Sequence, residues 1–306
     1  MEVRMKHWLA ALTILALGCG TTDEPTEPTA AATASVPDVQ VSDEGPGEPL
    51  SGTLRVLTYN VHGLPAEITG DDTNGRMAQI QPLMAGFDIV GLQEDFTDEG
   101  HALLTGGLVQ KLVRFVLPKD GHIFGSGLTL LHDPAIDEVL RDQQHFERCN
   151  GYTNHASDCL ASKGIQMVRL RVAPGVEIDV YNSHFEAGGS SDDEAARASH
   201  VDHLVGMIST LSEGRAVIFT GDTNLHPEDE PDATVLSDWL AQTGLKDTCA
   251  AVDCPLPLRI DRIFVRSSDS VTLVVQDWAL EPGWSSEDGV PLSDHDPISA
   301  TVHWSR

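Results

Sequence analysis

The chain has 306 residues and a formal net charge of −28 at pH 7, with 19 Lys and Arg against 47 Asp and Glu. It is long enough to bury the core of one large domain. This negative charge disfavours non-specific adhesion to nucleic acids and to anionic lipid surfaces, although it does not exclude a metal-assisted enzyme acting on phosphates.

The first 19 residues indicate an export signal. Arg4 and Lys6 precede an apolar run, residues 8–17, that is too short to span a bilayer. Residues 16–19 resemble a bacterial lipobox, which implies that Cys19 becomes the lipid-modified first residue of the mature protein. The alternative is an ordinary signal peptide that is removed together with Cys19. We expect an exported protein, lipid-anchored at the bacterial outer membrane or cell surface.

Residues 20–50 differ in composition from the rest of the chain. They are rich in Thr, Pro, Ala, Asp and Glu and contain no Lys, Arg or aromatic residue. Such a segment cannot bury enough apolar surface to fold, so we predict a disordered acidic stalk. No later apolar run is long enough for a transmembrane helix, and the predicted membrane contact is therefore the anchor at Cys19.

Residues 51–306 show no internal repeat and are predicted to form one domain. Short apolar or alternating runs predict strands at Leu54–Val61, Asp88–Gln93, Gly127–Leu131, Gly164–Val172, Glu177–Ser183, Ala216–Thr220, Arg259–Val265, Val271–Val275 and Ile298–His303. Helical periodicity predicts helices at Arg76–Met84, His101–Val113, Asp193–Leu211 and Thr234–Thr243. Many strands and few helices favour two packed sheets flanked by helices.

Four cysteines remain when Cys19 is set aside. An even number in an exported chain favours disulfides over metal thiolates, and three pairings are possible. The pairing between sequence neighbours joins Cys149 to Cys159 and Cys249 to Cys254. A zinc site is the weaker interpretation, because the chain contains no C-x-x-C motif.

Polar residues stand where the predicted strands end. Asn60 closes the first strand, Glu94 follows the second, and His184 and Asp222 follow two later strands. Catalytic residues usually lie on loops and strand ends of a rigid scaffold. The spacing therefore predicts that these four side chains line one edge of the fold, which we call the rim.

Six short motifs carry a family resemblance. They are Thr58–Pro65 (TYNVHGLP), Leu92–Glu94 (LQE), Asn182–Phe185 (NSHF), Gly221–Asn224 (GDTN), Ile260–Ile263 (IDRI) and Ser293–Pro297 (SDHDP). In this order they resemble the endonuclease/exonuclease/phosphatase superfamily. The resemblance implies an α+β fold of the DNase I-like type: a four-layer α/β/β/α sandwich with two mainly antiparallel sheets face to face and helices outside.

A closer resemblance, to the neutral sphingomyelinase branch, rests on three further segments. They are Leu92–Phe96, Cys149–Gly151 leading to Ala161–Gly164, and the His184–Ala187 run with Arg197 downstream. This resemblance implies an Mg²⁺-dependent hydrolase acting on a phospholipid phosphodiester. We separately expect a monomer.

One segment departs from that branch. Residues 278–292 are too short and too acidic to supply the aromatic membrane-inserting hairpin of the secreted bacterial enzymes, and Trp284 is the aromatic residue that remains within the loop.

The resemblance also implies the roles of the site residues. Glu94, Asn60 and Asp294 form the metal side, since hard oxygen ligands suit Mg²⁺, and other divalent cations are possible. His295 is the general base, with Asp261 fixing its tautomer.

The remaining residues form the phosphate side. The resemblance implies that His184 is protonated and donates to the leaving oxygen. Asp222 and Asn224 are expected to orient the attacking water and a phosphoryl oxygen.

Several candidates are less specific. Lys163 could meet a phosphate or form a structural salt bridge, and His62 could contact the substrate. His200 and His203 lie three residues apart on a predicted helix, where a solvated face is favoured over a metal site. A structural role is favoured for Arg197.

The same site chemistry allows other functions. An exported DNase I-like nuclease is the main alternative, but no basic patch with interleaved aromatic residues supports it, so nucleic acid is the less favoured partner. A phosphatase acting on phosphoinositides or inositol phosphates would need more cationic residues at the site. A non-catalytic binding module comes last, because no motif residue is missing.

Overall fold

The computed structural model describes residues 50–115, 118–153, 157–256 and 258–306. The predicted signal peptide, the lipidation site Cys19 and the stalk up to residue 49 lie outside the described residues and stay predictions. Within the described ranges, no helix is both long enough and apolar enough to cross a membrane.

The elements are numbered in chain order. The described strands are β1 (Ser51–Asn60), β2 (Ile89–Gln93), β3 (Lys111–Phe115), β4 (Leu128–His132), β5 (Asp137–His145), β6 (Gly164–Ala173), β7 (Val176–His184), β8 (Ala216–Asp222), β9 (Lys246–Asp247), β10 (Asp261–Arg266), β11 (Thr272–Leu280) and β12 (Ile298–Ser305). The described helices are α1 (Ala66–Thr69), α2 (Thr73–Ile80), α3 (Asp98–Thr105), α4 (Ser191–Leu211), α5 (Glu230–Thr243) and α6 (Thr248–Ala251), with 3₁₀ turns at Gln81–Met84 and Asp158–Leu160.

The strands form two six-stranded sheets, ordered β11-β12-β1-β2-β4-β3 and β5-β6-β7-β8-β10-β9. Each sheet contains one parallel pair, β1 with β2 and β7 with β8, and its other pairs are antiparallel. A parallel pair needs a crossover connection, which α1 and α2 provide in the first sheet and α4 provides in the second.

Side chains alternate between two apolar layers along the central strands. On β7, Val180 belongs to the cluster between the sheets, whereas Tyr181 packs in the cluster that includes α4 and α5. On β1, Val56 faces the opposite sheet and Leu57 packs with α2. Because both faces are covered, these strands are almost continuously apolar. The predicted four-layer α+β sandwich is confirmed.

A polar bond inside this apolar interior joins the two sheets near their functional ends. The Gln93 side chain of β2 donates to Asn182 Oδ1 of β7 at 2.8 Å, and the Asn182 amide donates back to the Leu92 carbonyl at 3.0 Å. Beside them, a Cβ on Gly91 would lie 2.1 Å from Thr220 Oγ1, so only glycine fits. Buried amides without partners are costly, so these bonds favour one relative placement of the sheets.

The structure contains all nine predicted strands, with boundaries shifted by a few residues. The helix predicted at residues 101–113 is wrong beyond Thr105, because Gly106 and Gly107 end α3 and residues 111–115 form β3. Three strands were not predicted: β3, β5 and β9. The longest, β5, is a polar edge strand without fully buried residues, so it lacks the apolar run that marks the others.

The cysteines form the two sequence-local disulfides, Cys149 with Cys159 and Cys249 with Cys254. Trp284 is not an exposed membrane anchor: it is buried, with its ring edge-on to Tyr59 at 4.9 Å between ring centres. The loop after β11 therefore presents no tryptophan to a lipid surface.

Arg197 of α4 is structural, as favoured by the sequence. Its Nε donates to Asp232 of α5 at 2.9 Å, and its Nη1 donates to the carbonyls of Glu186 and Gly188. Both members of the ion pair are almost fully buried. Removing one charge would leave the other buried without a partner.

We expect Arg197→Met to lower the free energy of unfolding by about 3–5 kcal/mol in urea denaturation. The double variant Arg197→Met with Asp232→Leu should recover most of that loss, because it removes the orphaned charge. Arg171→Met is the matched control: its pair with Glu177 is partly exposed, so the loss should stay below about 1 kcal/mol. Equal losses at the two arginines would contradict this account.

Candidate active site

The ends of the central strands bring the predicted site residues together. Asn60 ends β1 and Glu94 follows β2, while His184 ends β7 and Asp222 ends β8. His184 and Asp261 both pair with Asp222 in the strand register. Parallel neighbours end at the same edge of a sheet, so these side chains share one rim.

Asn60 lies at the centre of the rim. Its Nδ2 donates to Glu94 Oε1 and to Asp222 Oδ2, both at 3.0 Å, and its Oδ1 accepts the backbone N–H of His62 at 3.0 Å. The amide thus separates two carboxylates, one from each sheet. Its predicted role as a metal ligand through the carbonyl oxygen stays a prediction.

His295 is held by Asp261 on one side and faces Asp222 on the other. Its Nδ1 donates to Asp261 Oδ2 at 2.7 Å, and its Nε2 lies 3.7 Å from Asp222 Oδ2. Burial lowers the pKa of His295, but the hydrogen bond and charge of Asp261 and the charge of Asp222 outweigh it and raise the pKa to about 10. Asp261 therefore fixes the tautomer and makes Nε2 a strong base.

His184 lies between a cation and a carboxylate. Lys163 Nζ lies 3.2 Å from His184 Nε2, and because an ammonium can only donate, Nε2 must accept. Burial and the Lys163 charge also hold the pKa of His184 well below its usual range. Asp222 Oδ2 lies 3.4 Å from the same Nε2 and acts in the opposite direction, favouring a protonated ring. The protonation of His184 therefore stays a prediction, and Lys163 supplies a second cationic group at this end of the rim.

Lys163 is a buried cation with several partners. Its Nζ lies 2.8 Å from Asp158 Oδ1 and donates to the Phe185 carbonyl at 2.6 Å. It also borders the same cavity as Glu94 and His184. The two roles considered from sequence, salt bridge and phosphate contact, are therefore compatible.

Glu94 has the features of a metal ligand. Its Oε2 is buried and has no hydrogen-bond partner among the described residues. Its backbone φ is 60°, a left-handed conformation that costs free energy in a residue other than glycine. Burial raises the pKa of Glu94, so the carboxylate gains from a nearby cation. A free carboxylate oxygen held in a strained position fits Mg²⁺.

A second acidic group is a weaker candidate for a metal site. One ligand atom each from Asp222, Asp261 and His295 lies within 4.8 Å of the others. However, Asp222 already accepts hydrogen bonds from Asn60 and from the backbone of Asn224, and His295 Nδ1 is committed to Asp261. Glu94 keeps a free oxygen, and we therefore favour it.

The remaining predicted residues lie around this centre. Asp294 is mostly exposed, with Oδ1 3.3 Å from His62 Nδ1, and His62 Nδ1 is 3.9 Å from Glu94 Oε2. Asn224 is buried, and its Nδ2 donates to the Phe185 carbonyl at 3.3 Å. His62 and Asn224 share the left-handed backbone of Glu94. The strain is therefore concentrated at the rim, as it often is at functional sites.

The contacts along the rim run from His295 through Asp222 and His184 to Lys163, and a cavity opens at each end. The first, of about 300 Å³, is bordered by Glu94, Lys163 and His184, and we name it the Lys163 cavity. The second, of about 320 Å³, is bordered by Asp261 and His295, and we name it the His295 cavity. A substrate lying across the rim could reach into both.

His200 and His203 do not form a solvated pair. His200 is buried, its ring stacks on Phe146, its Nε2 donates to the Arg148 carbonyl, and its Nδ1 accepts the Glu186 N–H. His203 is partly buried and contacts Gln144. The expected exposed face is wrong, because α4 packs this face against the chain around Phe146.

Sequence reasoning missed a buried carboxylate behind Lys163. Glu186 is fully buried, accepts the Asn150 N–H at 2.6 Å, and has no partner for Oε2 among the described residues. Burial and the nearby Asp158 charge raise the pKa of Glu186 to about 8. Only its place in the His184–Ala187 run could have drawn attention to it.

Sequence reasoning also missed Arg76, which ties two site loops together. Its Nη1 donates to the carbonyls of Val61 and Leu292, and its Nη2 donates to the carbonyl of His62. One guanidinium thus joins the loop after Asn60 to the loop that carries the 293–297 motif. Its Nη2 also pairs with Asp71 at 3.1 Å. The sequence contains no local signal for the link between the loops, because the contacts that make it are to backbone carbonyls.

Comparisons with known proteins agree with this geometry. A model of the Endonuclease/Exonuclease/phosphatase family matches residues 57–295. A sphingomyelinase of Mycobacterium tuberculosis is 27% identical over 282 residues, covering 85% of this chain and 54% of the relative. Sphingomyelin phosphodiesterase 2 of Homo sapiens is 25% identical over 286 residues, covering 81% of this chain and 64% of the relative. This chain therefore spans about half to two thirds of their lengths.

The fold also matches solved structures. The crystal structure of a beta toxin mutant from Staphylococcus aureus with bound magnesium ions superposes with a TM-score of 0.60 at 16% identity. The match covers 81% of this chain and 99% of that chain. At this identity the likeness shows a shared fold.

We expect Arg76→Lys to lower the catalytic rate of this site at least tenfold, because a single ammonium nitrogen cannot reach all the groups that the two guanidinium nitrogens contact, three carbonyls and Asp71. The control is Arg55→Lys, where the arginine donates to the carbonyl of Gly86 outside the rim. Its rate should stay within about twofold of wild type. Similar losses in the two variants would refute a specific role for Arg76.

We expect Glu186 to give stability a pH dependence. With its folded-state pKa near 8 and an ordinary value of 4.5, the folded protein keeps a proton that the unfolded chain releases between these pH values. The free energy of unfolding should therefore fall as pH rises through this window. Relative to wild type, Glu186→Gln should gain roughly 3–4 kcal/mol between pH 5 and pH 8 in urea denaturation.

The exposed Glu99 offers a control on α3. Glu99→Gln should track wild type across the same pH range, because its carboxylate is solvated in both states. A Glu186→Gln profile parallel to that of wild type would show that Glu186 is ionised in the folded protein.

Proposed function

Because the chain belongs to the endonuclease/exonuclease/phosphatase family, we propose that it is a divalent-metal-dependent phosphodiesterase that hydrolyses a phospholipid phosphodiester. Sphingomyelin is the first candidate substrate. The observation that carries the proposal is the ordered rim in which a base, His295, and a cation, Lys163, stand on opposite sides of Asp222 and His184.

The rim supplies the proton transfers that phosphodiester cleavage needs. The attacking water loses a proton to His295 Nε2, and Asp261 stabilises the imidazolium through Nδ1. In this proposal Asp222 and Asn224 orient the attacking water and a phosphoryl oxygen. On the opposite side Lys163 stabilises the charge on the leaving oxygen, and His184 orients the Lys163 ammonium by accepting its hydrogen bond.

Glu94 would hold the cation through its free Oε2, with Asn60 and Asp294 as further predicted ligands. When bound, Mg²⁺ polarises a phosphoryl oxygen, and its charge opposes protonation of His295. The donor set of carboxylate and amide oxygens suits a hard cation. The magnesium in the related beta toxin structure supports this choice.

The preference for a lipid rests on three observations. Both curated relatives described above are named for sphingomyelin cleavage. The Lys163 cavity has an apolar wall. Residues 51–306 also carry 17 Lys and Arg against 39 Asp and Glu, which disfavours a nucleic-acid polyanion. The predicted lipid anchor at Cys19 would keep the enzyme at an outer membrane or cell surface.

A substrate panel tests the proposal. The mature chain is incubated with vesicles of sphingomyelin or phosphatidylcholine, with supercoiled plasmid, and with a phosphoinositide, each with Mg²⁺ or EDTA. We expect phosphocholine release that EDTA abolishes, and a loss of at least about 100-fold in kcat for Glu94→Gln. Glu99→Gln, an exposed glutamate nearby in sequence, should match wild type.

Two substrate results would refute the proposed function, and one variant result would refute the metal role of Glu94. Plasmid nicking without phosphocholine release would identify a nuclease, and release of inorganic phosphate alone would identify a phosphatase. Full activity of Glu94→Gln at saturating Mg²⁺ would remove Glu94 from the metal site.

A further inference from the structure

The two cavities differ in their position relative to the base. In an in-line displacement the attacking water and the leaving oxygen lie on opposite sides of phosphorus. His295 borders one cavity and Lys163 the other. If the water is activated at His295, the leaving oxygen points to Lys163.

The wall of the Lys163 cavity is largely apolar. Its polar lining consists of Glu94, Ser157, Asp158, Lys163 and His184, and Asp158 is the carboxylate that pairs with Lys163. Its apolar lining consists of Leu64, Ile68, Phe96, Phe124, Leu160 and Ala161. Here a catalytic cation lies next to an apolar surface, a combination that suits a leaving group with an apolar body.

We propose that the Lys163 cavity is the subsite for the lipid alcohol that leaves during cleavage, and that its mouth rests on the bilayer. This inference rests on the proposed function and adds the orientation of the substrate. The lipid backbone next to phosphorus lies against Phe96 and Phe124, and the head group points toward the His295 cavity.

The chemical step balances within this arrangement. The water oxygen forms a bond to phosphorus while its proton moves to His295 Nε2. The bond from phosphorus to the lipid oxygen breaks with its electron pair on that oxygen, which takes a proton from Lys163 Nζ. The products are the free lipid alcohol and the phosphorylated head group.

The size of the cavity indicates how much of the lipid it holds. About 300 Å³ lies at the lower end of the range for ligand pockets, which is roughly 300–1,000 Å³. That space suits the backbone of one lipid and the first carbons of its chains. The rest of each chain stays in the bilayer, so the mouth must meet the membrane.

Two isoleucines mark the mouth. Ile68, part of the lining, is 56% exposed, and Ile123, next to Phe124, is 68% exposed. The Ile123 N–H donates to the Leu160 carbonyl of the wall at 2.8 Å, which fixes Ile123 beside the cavity. Exposed apolar side chains at the rim of an active-site cavity are typical of membrane contact. Trp284 cannot take this role because it is buried.

The charge of the protein selects the type of membrane. A net charge of −28 repels anionic lipid surfaces, so apolar contact rather than electrostatic attraction must carry binding. The negative charge therefore favours binding to a zwitterionic bilayer over an anionic one.

The test compares two forms of one substrate. Sphingomyelin in zwitterionic vesicles requires the bilayer contact, whereas a short-chain analogue dissolved as monomers keeps the scissile bond without the bilayer. For the double variant Ile68→Asp with Ile123→Asp we expect the ratio of vesicle rate to monomer rate to fall at least tenfold. Vesicle flotation should show the matching loss of binding.

Two variants serve as comparisons. Val290→Asp changes a residue that is 61% exposed and lines neither cavity, and its ratio should equal that of wild type. Leu258→Asp changes a residue that is 66% exposed at the His295 cavity. If the lipid alcohol lay there, Leu258→Asp would lower the ratio instead.

The outcomes separate this inference from the proposed function. Wild-type cleavage of vesicles with an unchanged ratio in the double variant would overturn the subsite and leave the enzyme a phospholipid hydrolase. A fall in the ratio of vesicle rate to monomer rate that is confined to Leu258→Asp would place the lipid alcohol in the His295 cavity instead. Failure of wild type to cleave either lipid form would overturn the proposed function and the subsite with it.

Discussion

The rim depends on one amide placed between two carboxylates. Asn60 Nδ2 donates to Glu94 of one sheet and to Asp222 of the other, so a single side chain joins the ends of both sheets. Buried carboxylates repel each other strongly at low dielectric, and a donor shared between them reduces that repulsion. The Gln93 bond to Asn182, deeper between the sheets, holds the strands at the spacing that this bridge needs.

The close approach of the two sheet ends around Asn60 also explains the backbone strain at the rim. His62, Glu94 and Asn224 adopt left-handed backbone, and a Cβ on Gly63 would lie 2.3 Å from the Glu94 carbonyl oxygen. The chain therefore needs a glycine beside Glu94 and accepts an unfavourable conformation at Glu94 itself. The hydrophobic interior of the two packed sheets provides the stability that offsets these local costs.

Much of the fold could be predicted because central strands buried on both faces carry apolar runs, as Ala216–Thr220 does. The polar edge strand Asp137–His145 lacks that signal and was missed. The site residues could be predicted because each motif lies at the beginning or the end of a strand. The contact of His184 with Lys163 could not, because it joins residues 21 positions apart whose burial only the folded chain creates. Arg76 was missed because the contacts by which it joins the two loops are to backbone carbonyls, which leave no sequence pattern.

The charge balance of the rim bears on the metal requirement. Glu94, Asp222 and Asp294 face a substrate that is itself an anion, and the Lys163 charge is shared with Asp158. A carboxylate about 4 Å from a phosphate opposes its entry by on the order of 1–4 kcal/mol at surface dielectric values. A divalent cation at Glu94 reverses the sign of that interaction. The metal dependence that we propose therefore follows from the charge distribution of the whole rim rather than from one ligand.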